Sequence, residues 1–361
     1  MKIDESTNRY FNILKGIAIL SVVIGHCTDF AIKYVYSYHL ALFFFISGFL
    51  YNEQKYGDDP FLNMANRIKK NYPQYVLYAA IIGIFHNLFV YIDIYNIDQN
   101  YWSFYDFRNY ILNSIVMVNT EPLYGSTWFV LPLILASSIF GGIIYFSNYI
   151  KIISKSKYKI VVIILLSIIC CALGYERMKI KFTLPMRLDV SLFVIPLFTI
   201  AYFIKLYKKD FERLLNPYIA IVLFIVTIYL TYKANWFVSL VDQNVNIIKF
   251  YILAIVGIYQ CMYMAKLIND KLKFFSNFFE FIGTYSFEIM SFHFICFKII
   301  DVIYSYIFNI NNIALIESFP YSYKNLWYIY IVFACLAPAI MTKFTKRLFR
   351  KLKKYLIDIL I

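Results

Sequence analysis

Arg9-Tyr-Phe-Asn-Ile-Leu-Lys15-Gly16-Ile-Ala-Ile-Leu-Ser-Val-Val-Ile-Gly25-His26 is the stretch on which the reading of this chain turns. The apolar block it opens, residues 11–29, is long enough to cross about 30 Å of hydrocarbon at about 1.5 Å per residue. Yet it carries a lysine and a histidine. Ionisable groups at membrane depth are costly, so they mark a function by default. Lys15 and His26 stand eleven positions apart. That is about three turns at 3.6 residues per turn, which puts them on one face roughly 16 Å apart. A lysine can pair with a phosphate, and a histidine, with an unperturbed pKa near 6.5, can take a proton from a hydroxyl. The plain alternative is a snorkelling lysine and a hydrogen-bonded core histidine.

Outward from this block the pattern repeats. The 361 residues are 61% hydrophobic, and the mean hydropathy is +0.63. A soluble domain would have an apolar share nearer a half. Apolar blocks recur over residues 11–29, 38–52, 74–95, 127–147, 159–175, 188–206, 217–235, 247–265, 278–307 and 326–343. The expected fold is therefore all-α: a polytopic membrane protein of about ten transmembrane helices. Residues 107–119 read as a shorter interfacial or re-entrant piece, and the ninth block is long enough to tilt or to break near Gly283. Residues 1–361 read as one transmembrane unit without internal repeats, with residues 344–361 as a basic cytoplasmic tail. The first block has no small-residue cleavage site behind it, so it is expected to be retained as a span.

The formal charge of +14 does not indicate a nucleic-acid partner, because the cations lie in short segments between apolar blocks. Orientation and anionic head groups explain that placement. With the amino terminus cytoplasmic, 24 of the 35 Lys and Arg fall on the cytoplasmic side and 9 on the other. Both termini are then expected inside. The 176–187 segment, with Arg177, Lys179, Lys181 and Arg187 outside, runs against the trend.

Other polar groups fall inside the blocks. His39 opens the second block, where it could meet a substrate, and Ser47-Gly48 near its end reads either as a nucleophile or as a small pair for close helix packing. His293 follows Ser286 by seven residues on one helical face, as a second proton relay, a substrate hydrogen-bonder or a packed residue. Trp128 either stacks on a substrate or sits at the membrane interface. His86 reads as packed and hydrogen-bonded, Lys298 and Asp301 as an i, i+3 pair neutralising one another, and Glu288 as awaiting a basic partner. The six cysteines lack metal-ligand spacing and read as packing residues; no metal is expected.

These residues also fall into motifs. The opening stretch resembles the R…D-x-x-K-G-x-x-x-x-x-V-x-x-G-H signature of the acyltransferase-3 family, in its fucose 4-O-acetylase-like branch. Tyr38-His39-Leu-Ala-Leu-Phe-Phe-Phe-Ile-Ser47-Gly48-Phe49 is similar to the family's F-H-x-P-L-F-F-F-x-S-G-F block. Arg67-Ile-Lys69-Lys70-Asn-Tyr72-Pro73, Ser126-Thr-Trp128-Phe129 and Gly283-Thr-Tyr-Ser286-Phe-Glu-Ile-Met290-Ser-Phe-His293 resemble three later blocks. Two departures stand out: Asn12 where the family has Asp, and Ala41 where Pro is common.

The resemblance implies a membrane-bound O-acyltransferase. It would move acetyl from cytoplasmic acetyl-CoA, a co-substrate and not a tightly held cofactor, to a hydroxyl of a cell-surface glycan or its lipid-linked precursor. His26 maps onto the family's general base and Lys15 onto its basic partner. Arg9, Arg67, Lys69 and Lys70 then become candidates for docking the phosphates of the acyl donor. His39, Ser47, Trp128, Ser286 and His293 become candidates for the acceptor cavity. A polysaccharide exporter is the competing reading; interrupted helices would favour it, whereas internal repeats, common in such folds, are not seen.

Overall fold

The computed structural model describes residues 5–92, 94–95, 100–118, 121–149, 156–207, 213–310, 320 and 323–360. Among these the chain is helical, and one isolated bridge, Ser239 to Asn244, is the sole β pairing. In chain order the helices are α1 (Glu5–Cys27), α2 (Ile32–Tyr36), α3 (His39–Phe49), α4 (Glu53–Tyr56) and α5 (Pro60–Tyr91). Then come α6 (Phe104–Ile115), a 3₁₀ segment (Pro122–Phe129), α7 (Val130–Tyr149) and α8 (Ser156–Lys179). A short turn at Pro185–Arg187 leads into α9 (Leu188–Phe193) and α10 (Ile195–Leu206). The rest are α11 (Pro217–Ile228) with a π turn at Tyr229–Lys233, α12 (Ile247–Lys271), α13 (Lys273–Thr284), α14 (Ser286–Phe308) and α15 (Tyr323–Leu360).

Six helices among the described residues are long and apolar enough to cross a membrane, or seven if α9 and α10, bent by 48° at their junction, count as one span. The other three expected spans fall on shorter or broken elements. Residues 38–52 hold the eleven-residue α3, residues 217–235 hold α11 and its π turn, and residues 278–307 divide at Tyr285 into α13 and α14. That division lies two residues from Gly283, where a break is expected. Residues 107–119 largely coincide with α6, twelve residues and too short to cross. Its Tyr110 hydroxyl donates to the Ala79 carbonyl and anchors it on α5.

The third apolar block begins at residue 74, but its helix begins earlier: residues 60–73 are the first turns of α5, which runs through Pro73. The Asp59 carboxylate accepts from the Leu62 amide at 2.9 Å and Pro60 supplies a preset first turn, so the helix starts well before the apolar block does. The apolar run does not mark the helix end.

Two apolar clusters build the core, and α1 belongs to both. Phe11, Leu14 and Ala18 belong to one cluster with residues of α3, α7, α9, α10 and α12; Ile19, Val22, Val23 and Cys27 belong to the other with residues of α5, α14 and α15. The α1 backbone touches that of α13. A Cβ on Gly16 would overlap the Phe279 carbonyl, and one on Gly283 would overlap the Asn12 carbonyl and lie 2.7 Å from the Gly16 nitrogen. Small residues allow such approach where no hydrophobic force drives helices together in lipid. The Lys15-Gly16 and Gly283 motifs, far apart in sequence, thus meet as one helix crossing.

Candidate active site at the two ends of α1

At the His26 end of α1 lies a cavity of about 350 Å³. Its wall draws Val22 and His26 from α1, Tyr36 and His39 from α2 and α3, Ser126 and Trp128 from the 3₁₀ segment, and residues 238–242 from the loop before α12. Gly25 explains one of these neighbours. A Cβ there would come within 2.9 Å of the Tyr36 ring, so glycine lets that ring lie against α1 beside His26 without a shift. The Tyr36 ring is 6.1 Å from the His26 ring and 4.8 Å from the His39 ring. The His293 ring, fully buried on α14, stands 5.5 Å from His26.

Backbone carbonyls set two of these imidazoles. His39 Nδ1 donates to the Val35 carbonyl at 2.8 Å, which leaves Nε2 as the nitrogen with a free lone pair. His293 Nδ1 faces the carbonyls of Ile289 (3.1 Å) and Met290 (2.9 Å). Its Nε2 is buried with no hydrogen-bond partner. Both are poised to accept a proton or a hydrogen bond.

Trp128 is a wall residue. The Arg187 guanidinium lies 4.8 Å from its ring, donates to the Leu240 carbonyl at 2.8 Å and sits 3.7 Å from the Asp189 carboxylate. Met186 and Arg187 reach this position through consecutive left-handed backbone conformations, φ 58° and 55°. Such conformations cost energy outside glycine and persist only where the surroundings hold them.

At the Lys15 end the chemistry changes. Phe11 of α1 and Phe49 of α3 have ring centroids 4.5 Å apart, so the far end of α3 lies beside the start of α1. There a second cavity of about 440 Å³ is lined by Leu50, Tyr56, Asn63, Asn66, Arg67, Lys69 and Lys70. Arg67 also reaches the Ser47 carbonyl at 3.4 Å, and Lys70 is an electrostatic neighbour of the half-buried Lys15. Arg9 is engaged elsewhere: it donates to Asn277 at 2.6 Å and pairs with Glu280 at 3.2 Å, both on α13. Gly48 would carry a Cβ only 2.6 Å from the Phe198 Cα, the geometry of a small residue in a helix crossing.

The structure therefore brings His26, His39 and Trp128 to one cavity, with His293 against His26, and Arg67, Lys69 and Lys70 to another. Ser286, half-buried at the start of α14, lines neither cavity, and Ser47 lies at the Lys15 end and not with the histidines. Sequence reasoning passed over Tyr36, Ser37, Ser239 and Asp242 and saw Ser126 only as part of a motif. Gly25 beside His26 was the one local signal for Tyr36. The 238–242 loop arrives by tertiary folding and leaves no periodic trace.

The remaining polar residues resolve as packing. His86 is buried, 3.0 Å from Glu121, and stacked on Trp102 at 3.7 Å. Lys298 meets Asp301 at 3.2 Å, and Asp301 also accepts from the Tyr330 hydroxyl at 2.6 Å. Glu288 finds its cation in Lys346 of α15, at 2.9 Å.

The profile of acyltransferase family 3, described as an acyltransferase domain, matches residues 8–319. The chain belongs to the acyltransferase-3 family. Neither a curated protein nor a solved structure matches the chain. Membership makes it a membrane acyltransferase, and the match takes in both cavities, from Arg9 to His293.

Proposed function

We propose that this protein transfers acetyl from acetyl-CoA, docked at the Lys15 end, to a hydroxyl of a cell-surface glycan or its lipid-linked precursor held at the His26 end. The single observation that carries this reading is the pairing of a histidine-lined cavity at the His26 end of α1 with a cation-lined one on α5, whose Lys70 is an electrostatic neighbour of Lys15. Coenzyme A carries several phosphates, and Arg67, Lys69 and Lys70 suit them. The charge split supports that end, and both termini, as cytoplasmic.

The chemistry follows from the residues. A sugar hydroxyl is a poor nucleophile at neutral pH. His26 takes its proton as the oxygen attacks the thioester carbonyl. An ester C–O bond forms and the thioester C–S bond breaks. The coenzyme A thiolate leaves and receives the proton back from His26. A positioned base contributes about 10²–10⁴-fold, and holding donor and acceptor together supplies most of the remainder. His293, behind His26 with a lone-pair nitrogen, supports the imidazolium that forms.

The test uses membranes containing the full chain, radiolabelled acetyl-CoA and a crude glycan fraction. Label should enter base-labile glycan ester and vanish with His26→Ala. Transfer that survives this change near wild-type rates overturns the assignment of His26. No transfer by folded wild-type protein, with several acyl-CoA donors tried, favours the exporter.

A further inference from the structure

The hydrogen-bond polarity of the cavity at the His26 end carries an inference about what enters it. Three serines line it, and each has spent its only proton on the protein. Ser37 Oγ donates to the Tyr34 carbonyl at 2.6 Å, Ser126 Oγ to the Met290 carbonyl at 2.7 Å, and Ser239 Oγ to the Asp242 carboxylate at 2.6 Å. What each hydroxyl has left is lone pairs. His39 is in the same position, with its Nδ1 proton on Val35 and Nε2 left as an acceptor. Asp242, exposed at the mouth, is the one formally charged side chain among the described lining residues, and it too only accepts. Side-chain donors in the wall come down to the Tyr36 hydroxyl, the Trp128 indole and His26. Burial first, and the Asp242 charge second, push the Tyr36 phenol up to about 12, so it stays protonated. Arg187, over the Trp128 ring, does not line the cavity; it donates to the Leu240 carbonyl and lies 3.7 Å from Asp189.

A largely apolar wall whose polar side chains are mostly acceptors complements a ligand whose polar groups are donors. A phosphate or a carboxylate would bring more acceptors and a negative charge to face Asp242 and the serine lone pairs. Leaving such groups unmatched, or like charges opposed, weakens binding. We propose that this cavity selects an uncharged, polyhydroxylated glycosyl unit whose hydroxyls donate into the wall, and that Asp242 is the residue that rejects phosphate- or carboxylate-bearing alternatives. The inference rests on the proposed function for calling the occupant an acceptor, but the selectivity itself belongs to the cavity. Any phosphate of a lipid-linked precursor must then stay outside the wall.

The test measures binding without acetyl-CoA. The purified full chain is titrated with a neutral methyl hexopyranoside, the matching uronate and the matching sugar phosphate, and the rise in unfolding temperature gives each half-saturation. The neutral glycoside should bind at least about tenfold more tightly than either anion. Asp242→Asn, which keeps one accepting oxygen for Ser239, should narrow that gap to about two- to threefold by improving the anions. Equal or tighter binding of an anionic analogue to wild type overturns the proposal, with or without a folded variant. So does a neutral glycoside that fails to bind, or a discrimination left unchanged by Asp242→Asn in folded protein. Glycoside binding without acetyl transfer would defeat the proposed function and leave this inference standing. Transfer to anionic acceptors at equal half-saturation would do the reverse.

Discussion

The two ends of α1 lie beside cavities of opposite chemistry. At the Lys15 end, Arg67, Lys69 and Lys70 offer positive charge and N–H donors, while the Asn63 amide donates to Ser137 and the Asn66 amide to the Leu62 carbonyl. At the His26 end, Ser37, His39, Ser126, Ser239 and Asp242 offer lone pairs. A single pocket could not serve a polyanionic donor and a hydroxyl-rich acceptor equally, because a group that suits one repels the other. Separating the two along a helix of 23 residues keeps each wall consistent with its own ligand. The contrast teaches that the Lys15 to His26 spacing is a distance between environments more than a contact between side chains.

The hardest way to break the comparison is at the base. His26→Ala should lower transfer by about 10²–10⁴-fold while leaving half-saturation by acetyl-CoA unchanged, as initial rates at varied acetyl-CoA would show. A shift in acetyl-CoA affinity of similar size would mean that the two ends are not separate. Next comes the crossing that holds α1 in place. Gly283→Ala should destabilise the protein by about 1–3 kcal/mol, because its Cβ has only backbone atoms to displace. Gly142→Ala is the control: a Cβ there meets nothing within 4 Å, so its unfolding temperature should stay at or above wild type. Equal behaviour of the two variants would remove the crossing from the argument. A smaller effect sharpens the other end. Arg67→Gln should raise half-saturation by acetyl-CoA about tenfold, with less of a penalty at high salt and no change in glycan half-saturation. A rise for the glycan instead would assign Arg67 to the wrong ligand.

How much of this was legible in advance follows from where each signal is written. The helical, membrane-embedded fold is written in local composition, and the Lys15–His26 face in a spacing that a single helix preserves. His39 and Trp128 sit within two short motifs and were singled out as candidates. The count of spans was less legible, because α3 and α14 carry apolar runs whose ends depend on packing, and the bend between α9 and α10 has no counterpart in hydropathy. The wall residues Ser239 and Asp242 were invisible because a loop some two hundred residues from His26 folds back over it. The polarity of the serines could not be read at all. A serine is both donor and acceptor until its partner is known, and Tyr34, Met290 and Asp242 are partners that only the fold supplies.

The smallest effect concerns how the Lys15 end is braced. Glu53, in the short α4, takes a hydrogen bond from the Tyr202 hydroxyl at 2.5 Å and pairs with Lys159, which ties α4 to α10 and α8. Burial works to raise its carboxyl, but the hydrogen bonds from Lys159 and Tyr202 outweigh it and hold the group below its ordinary value of 4.5. A carboxylate with a depressed value contributes stability in full above that ordinary value and loses it as pH falls through the lower one. The unfolding temperature of wild type should therefore drop more steeply below pH 4.5 than that of Glu53→Gln, by about 1–2 °C, with the two curves parallel above it. The amide cannot hold Lys159 as an ion pair, so the variant should also start lower at neutral pH. Identical pH profiles would mean that α4 is not braced by charge, and that the wall containing Tyr56 is held by α5 alone.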